Sequence, residues 1–234
     1  MAIWRNRPQS QGDNSLGGPP TRSNGYGDAY VVPVGTERST LCEEGSYFTA
    51  NNLTTATEIT GHAAAAIGDE ATKPLLYLYN GGEKYITIDQ VYIRVETINA
   101  SSSDTYFTVT LTNEQSRDSG GTQLTVNNAR SDNPNSSGAT VWFGAVVCTP
   151  SASRLHSRHL IRDTIMVTED RYHFQFGVAH ASGSHAPVAT VADVHRVFPP
   201  CVIAPGGEFL LASINPSGAI TAATHEVMLG FWER

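Results

Sequence analysis

The feature that most constrains this chain is a series of short runs in which apolar and polar residues alternate. In the clearest run, residues 106–112, Phe107, Val109 and Leu111 fall on one face of an extended strand, and a tyrosine and three threonines fall on the other. Glycine, asparagine, serine and proline separate the runs, and these residues favour turns. The pattern is typical of antiparallel strands that bury one face, so the chain is predicted to be all-β.

One long run, residues 85–98, changes its alternation part of the way along. Ile86 and Ile88 have one parity, whereas the later apolar residues have the opposite one. An inserted residue produces such a switch, so a β-bulge is predicted at Asp89 or Gln90.

The run at residues 75–79 precedes this strand across Asn80-Gly81-Gly82, which predicts that the two runs pair as a hairpin. Residues 113–121 and 127–138 are predicted to be polar connections, and residues 151–162 could give one or two helical turns. The later strands are predicted at 140–148, 163–167, 171–177, 188–192, 209–214 and 226–232.

Many short strands joined by polar loops predict one antiparallel β-sandwich, jelly-roll-like, for residues 28–234. All-β sandwiches often use such a length for a single core. Residues 1–27 differ, because they are polar and contain Gly17-Gly18-Pro19-Pro20. Such a stretch buries too little surface to offset its ordering entropy, so we expect an extended N-terminal arm.

The arm contains isolated residues that suit contacts with another protein. Two are large aromatics and three are arginines, and they are Trp4, Tyr26, Arg5, Arg7 and Arg22. An arm of this kind can become ordered when it lies across a neighbouring subunit. The alternative is a tail that stays disordered.

The composition excludes several classes of partner. Charged residues make up 16% of the chain and the net charge is -7, with only two lysines, Lys73 and Lys84. Nucleic-acid binding is not predicted, because it requires a basic surface.

The sequence shows no signal peptide or membrane span, which predicts synthesis in the cytoplasm and no membrane partner. The three cysteines are expected to be buried free thiols.

Local motifs for catalysis are not found. There is no GxSxG or HExxH sequence, and Ser182-Gly183-Ser184-His185 has the composition of a loop. Adjacent carboxylates such as Glu43-Glu44 point to opposite faces of a strand and suit solvated turns. The chain is therefore expected to be no enzyme and to have no catalytic residue, cofactor or metal site, although histidines from different strands could still converge.

Three arginines, Arg154, Arg158 and Arg162, are spaced four residues apart. This spacing predicts that they share one face whether the segment is helical or extended. They could bind an acidic surface, since a guanidinium binds carboxylates through two parallel hydrogen bonds. The alternative is a solvated face.

The C-terminal third carries a family resemblance. Residues 195–211 read HRVFPPCVIAPGGEFLL, and the chain ends in Gly230-Phe231-Trp232-Glu233-Arg234. This pattern resembles uncharacterised virion structural proteins of tailed bacteriophages, in which a strand, a Pro-Gly turn and a second strand lead to an aromatic-acidic terminus. The resemblance extends back through residues 75–80 and 59–62. It implies a β-sandwich, as a homotrimer, in the capsid or the tail.

The expected function is that of a capsid decoration or cement protein that binds the major capsid protein or other virion proteins. Such a protein is made in the host cytoplasm and resides in the virion. The alternative is a tail-fibre or receptor-binding module that recognises host surface glycans. A polysaccharide-degrading enzyme would require convergent carboxylates.

Overall fold

A computed structural model describes most of the chain after residue 40: residues 41–52, 58–62, 66, 68–97, 105–162, 167–177, 193–214 and 223–234, without the side chains of 105 and 160–162. These residues belong to one compact unit, Leu41–Arg234. The predicted arm and its boundary at residues 27 and 28 lie outside the described part of the chain.

Within the described residues the chain forms strands joined by turns. They are β1 (Tyr47–Asn51), β2 (Ile59–Thr60), β3 (Leu76–Asn80), β4 (Ile86–Thr97), β5 (Thr105–Thr112), β6 (Arg117–Asn128), β7 (Ala139–Cys148), β8 (Arg154–Arg162), β9 (Arg171–Phe176), β10 (Asp193–Phe198), β11 (Cys201–Ile203), β12 (Glu208–Ile214) and β13 (Thr224–Glu233).

The strands form two sheets that are continuous through β6. The first sheet has the order β10-β9-β4-β13-β1-β6, with β11 paired to β4 and β2 paired to β13. The second has the order β6-β7-β3-β12-β5-β8. Residues 125–128 of β6 pair with β1, whereas residues 117–124 face β7. One strand therefore closes one side of the sandwich.

Eight of these strands have the connectivity of a jelly roll. One antiparallel set has the order β1-β13-β4-β9 and the other β3-β12-β5-β8. The chain passes repeatedly from one set to the other, as it does in two interlocked Greek keys. The β6–β7 pair is an insertion between β5 and β8, and β10 adds in parallel to β9. The predicted all-β sandwich is confirmed.

The core lies between the two sheets and is rich in aromatic rings. The ring centroid of Phe107 on β5 lies 5.0 Å from that of Phe174 on β9, and the centroid of Phe174 lies 5.1 Å from that of Phe198 on β10. Val109 and Leu111 are buried in the same core, which confirms the predicted inward face of residues 106–112. Apolar burial across the two sheets is the main source of stability of such a sandwich.

The predicted bulge is present at Asp89. Ile88 pairs with Phe231 and Gln90 pairs with Gly230, so Asp89 has no partner on β13. The carboxylate of Asp89 is buried and accepts a hydrogen bond of 2.7 Å from the Tyr47 hydroxyl. The bulge thus directs the Asp89 side chain into the protein, where the Tyr47 hydroxyl donates a hydrogen bond to it.

The predicted hairpin between residues 75–79 and 85–98 is wrong. β3 pairs with β7 and β12 in the second sheet, whereas β4 belongs to the first. The Asn80 side chain is buried and donates to the carbonyls of Lys84 and Ile203. Asn80-Gly81-Gly82 forms a tight turn, and this turn connects β3 of the second sheet to β4 of the first.

Two further expectations are corrected. Residues 154–162, where helical turns were expected, form strand β8, and β6 includes residues 117–121 and 127–128 of the predicted polar connections. The side chains of β6 are mostly exposed. A strand without a buried face lacks the alternation on which its prediction depends. The predicted strand at 188–192 and most of the one at 163–167 lie outside the described residues, as does the predicted loop 182–185.

The cysteines are free thiols. Cys148 and Cys201 are buried, as predicted, whereas Cys42 is partly exposed. Burial raises the pKa of Cys148 and of Cys201 to about 12. Within the described residues no helix is long and apolar enough to cross a membrane.

Candidate functional site

The arginines singled out in the sequence lie on β8, but they do not share one face. Arg154 pairs with Leu111, whose side chain is in the core, and Arg158 pairs with Thr108, on the opposite face of β5. Because directly paired residues point to the same side of a sheet, these two arginines diverge. The predicted common face is therefore wrong.

A bulge explains the divergence. Ser157 pairs with Val109 and Leu155 pairs with Thr110, which leaves His156 as an extra residue on β8. An inserted residue reverses the alternation of the strand beyond it. Both arginines are exposed, and Arg158 forms an ion pair with Glu70. The backbone of Arg162 ends β8, but its side chain lies outside the described residues, as do the five arm residues named above.

Strand β8 is also the edge of the second sheet. Among the described strands it pairs only with β5. Leu155, beside the bulge, is 51% exposed. An edge strand presents backbone donors and acceptors to any chain that can add alongside it.

A second group of polar residues lies at the opposite end of the strand order, on β9 and β10. These strands are parallel, and His195 is directly paired with His173. Asp193 lies two residues before His195 and therefore points to the same side of β10. Tyr172 and Val194 are in the core, so the two histidines and Asp193 lie on the outer face of the first sheet.

The three side chains are close together. The imidazole rings of His173 and His195 are stacked with centroids 4.4 Å apart and an angle of 6° between their planes. His195 Nε2 lies 3.3 Å from Asp193 Oδ1. One potential ligand atom from each of the three residues lies within 4.8 Å of the other two. Tyr92 closes the group on the β4 side, with its ring 4.6 Å from that of His173.

The surroundings favour neutral imidazole at His173. Burial lowers the pKa of His173, and the neighbouring His195 lowers it further. A lowered pKa means that the ring is predominantly uncharged at neutral pH. A neutral ring has a free nitrogen lone pair that can accept a proton or bind a metal ion.

Next to this group, Arg94 is surrounded by carboxylates. The Arg94 guanidinium lies 2.8 Å from Glu169 and 2.8 Å from Glu96, and 3.1 Å from Glu226. The hydrogen bonds that Arg94 donates to Glu169 raise the pKa of Arg94, and burial raises the pKa of Glu96. This network ties β4 to β13 and to the turn before β9.

A buried carboxylate, Glu208, lies on the outer face of the second sheet. It accepts hydrogen bonds from the Tyr77 hydroxyl, from the Thr112 hydroxyl at 2.8 Å, and from the backbone N–H and the hydroxyl of Ser116, each at 2.6 Å. Its side chain is fully buried. Glu208 is thus satisfied by protein donors and stabilises the packing of residue 116 on β12 and β3.

A polar groove opens where β6 and β7 separate from each other. Its walls come from the turn after β3, the start of β1 and the connection between β6 and β7, and they include Ser46, Glu83, Lys84, Asn135 and Glu233. Tyr85, next to Lys84 in the chain, is 57% exposed.

Trp142 and Phe143, which are neighbours on β7, point to opposite sides of the second sheet. Phe143 is in the core, and Trp142 points to the opposite side, where the Arg117 guanidinium lies 3.4 Å from its ring centroid. Trp142 is therefore covered by an arginine rather than open for stacking on a ligand.

The group of His173, Asp193 and His195 was not identified from the sequence. The two histidines come from different strands, so no local spacing connects them. Only the parallel register of β9 and β10 makes them direct neighbours. Comparisons of the chain with protein families, with curated proteins and with solved structures gave no significant match.

Proposed function

We propose that this chain is a structural, non-catalytic protein of a tailed-bacteriophage particle, which decorates the capsid and stabilises the shell by binding the major capsid protein. Two arguments support the proposal. One is the interpretation of the C-terminal sequence pattern as similar to phage virion proteins, and the other is the jelly roll, which is an architecture of viral capsid domains. Fold alone does not define a function, so the argument must come from a surface.

The surface that carries the proposal is the edge of β8. Among the described strands β8 has no partner on its outer edge, and the side chains of Leu155 and Arg154 are exposed there. An extended segment of a neighbouring subunit can add there as a further strand, and its main-chain hydrogen bonds would supply affinity. The proposed arm, residues 1–27, is polar in sequence and is our candidate for such a segment.

Attachment at repeated positions explains how a small protein would stabilise a shell. Each bound copy favours the assembled state over the dissociated one by mass action. A homotrimer multiplies this effect, since the second and third contacts occur at high effective concentration. We propose that the protein is made in the host cytoplasm and acts in the virion.

The test is co-sedimentation of the purified protein with mature shells that lack it, together with its mass by light scattering. We expect saturable binding of a trimer at a fixed ratio to capsomers. The variant Leu155→Lys should bind more weakly, because it places a charge at the proposed contact. Val202→Lys is the matched control, since Val202 is similarly exposed, at 53%, on β11. Absence of binding by the unmodified protein would overturn the proposal.

The polar groove, whose wall includes the chain neighbour of Tyr85, supports the second candidate, a tail-fibre or receptor-binding module for host surface glycans. Amide, carboxylate and hydroxyl groups along the groove can hydrogen-bond sugar hydroxyls, and an exposed tyrosine ring can stack on a sugar. A glycan array separates the candidates. Specific glycan binding that Tyr85→Ala removes, without binding to shells, would favour the receptor module.

A further inference from the structure

We propose that His173, Asp193 and His195 form a binding site for a divalent transition-metal ion of the zinc type. The three residues are brought together by the parallel pairing of β9 and β10, on the outer face of the first sheet. The site is independent of the β8 edge, and the inference holds whether or not the protein decorates a capsid.

The donor set determines the class of metal. Two imidazole nitrogens and one carboxylate oxygen suit zinc, copper, nickel or iron, whereas calcium and magnesium prefer sites made of oxygen alone. Three protein ligands also leave at least one coordination position open. A water molecule or a group from another molecule can occupy that position.

The distances allow coordination without a change of backbone. Zinc binds imidazole nitrogen and carboxylate oxygen at about 2.0 to 2.2 Å, so ligand atoms around a tetrahedral ion are about 3.3 Å apart. The Nε2 of His195 and Oδ1 of Asp193 already lie 3.3 Å apart, and all three ligand atoms lie within 4.8 Å. The remaining difference is within reach of side-chain rotation, because His195 and Asp193 are partly exposed, at 39% and 58%.

The fold places the two rings side by side. His195 and His173 are directly paired in register, and the His173 ring lies next to those of both His195 and Tyr92. Because the nitrogen lone pairs lie in the ring planes, the stacked rings must turn towards a common ion, and the partly exposed side chain of His195 has the room for this rotation. Without a metal ion the same geometry would be a surface ion pair between His195 and Asp193, and this is the alternative that an experiment must exclude.

The first experiment is a calorimetric titration of the metal-free protein with ZnCl₂ near pH 7.5, accompanied by thermal unfolding. We expect one ion per chain and a higher Tm in the presence of zinc, because an ion that binds only the folded state stabilises it. His173→Ala and His195→Ala should each weaken binding by roughly tenfold or more, with Asp193→Asn in the same direction. His156→Gln, on β8, is the matched control and should bind zinc as the unmodified protein does.

A spectroscopic readout identifies the ligands directly. Cu²⁺ bound to the unmodified protein should show electron paramagnetic resonance couplings from two imidazole nitrogens, and Cu²⁺ bound to His195→Ala should show one fewer. Circular dichroism of the metal-free variants establishes that they are folded. Zinc binding that is equally tight in folded His173→Ala and His195→Ala, or no binding to the unmodified protein, would overturn the proposal.

Discussion

Single residues in this fold show how buried polar groups are accommodated. Glu208 is buried with a complete set of donors, whereas His225 on β13 is fully buried beside the Phe143 ring, whose centroid lies 6.1 Å from its own. Burial lowers the pKa of His225 to about 4. The cavity next to it is also lined by His62 and Lys73.

This pKa predicts an acid-dependent loss of stability. The pKa of His225 in the unfolded chain is about 6.5, so this residue binds a proton more tightly in the unfolded state than in the folded state. The contribution of neutral His225 to the free energy of unfolding is therefore lost as the pH falls from about 6.5 towards 4. Between pH 7 and pH 4.5 the loss from this residue should be roughly 2 to 3 kcal/mol. Urea unfolding at both pH values measures it.

The control for this measurement is His225→Leu. His173 and His159, whose pKa values are also lowered, contribute equally to both proteins. The variant should therefore lose less stability than the unmodified protein over the same pH range. An identical loss in the two proteins would show that His225 does not titrate as the structure indicates.

At the scale of elements, bulges decide where side chains point. The bulge at Asp89 gives β4 a buried carboxylate, and Gly230 on the paired strand leaves room for the Tyr47 hydroxyl that binds it. A Cβ atom at residue 230 would lie 2.3 Å from that hydroxyl oxygen. The bulge at His156 sends Arg154 and Arg158 to opposite faces of β8.

The bond at the first bulge can be tested by Tyr47→Phe. This change keeps the ring beside Trp232 but removes the hydroxyl that donates to Asp89, which should lower the free energy of unfolding by about 1 to 3 kcal/mol. Urea denaturation measures the change.

Tyr85→Phe is the matched control, because the Tyr85 side chain is exposed and its loss of a hydroxyl should change stability by no more than about 0.5 kcal/mol. Equal effects of the two substitutions would argue that the bulge bond contributes no specific stability.

At the scale of the whole molecule, the two sides of the sandwich differ. β6 joins the sheets on one side, whereas on the other side the strand order ends at β8 and β10. There His159 of β8 packs against Phe198 of β10, with ring centroids 4.5 Å apart. Among the described residues, side chains rather than a hydrogen-bonded ladder therefore cover the core on that side, and neither terminal strand has a second strand partner.

Removal of residues 1–27 tests whether the arm contributes to attachment while the sandwich folds without it. Every described strand lies after residue 40, so the truncated protein should unfold at a Tm close to that of the full chain. Its attachment to shells in the co-sedimentation assay should be weaker, because one set of contacts is lost. Normal binding by the truncated protein would contradict a role for the arm in attachment.

The sequence by itself determined the properties that depend on neighbouring residues. Alternation identified the all-β class and the buried face of Phe107, Val109 and Leu111, and a change of parity located a bulge at Asp89 or Gln90. Each of these follows from the period of two along one strand, which is set by local backbone geometry.

Only the tertiary structure decided which strands are neighbours. It separated residues 75–79 from β4, sent Arg154 and Arg158 to opposite faces, and placed His195 beside His173. The physical reason is that pairing between distant strands is selected by the packing of the whole core, and a shift of one residue in register moves every later side chain to the other face. Functional groups that converge from separate strands are therefore visible only once the fold is known.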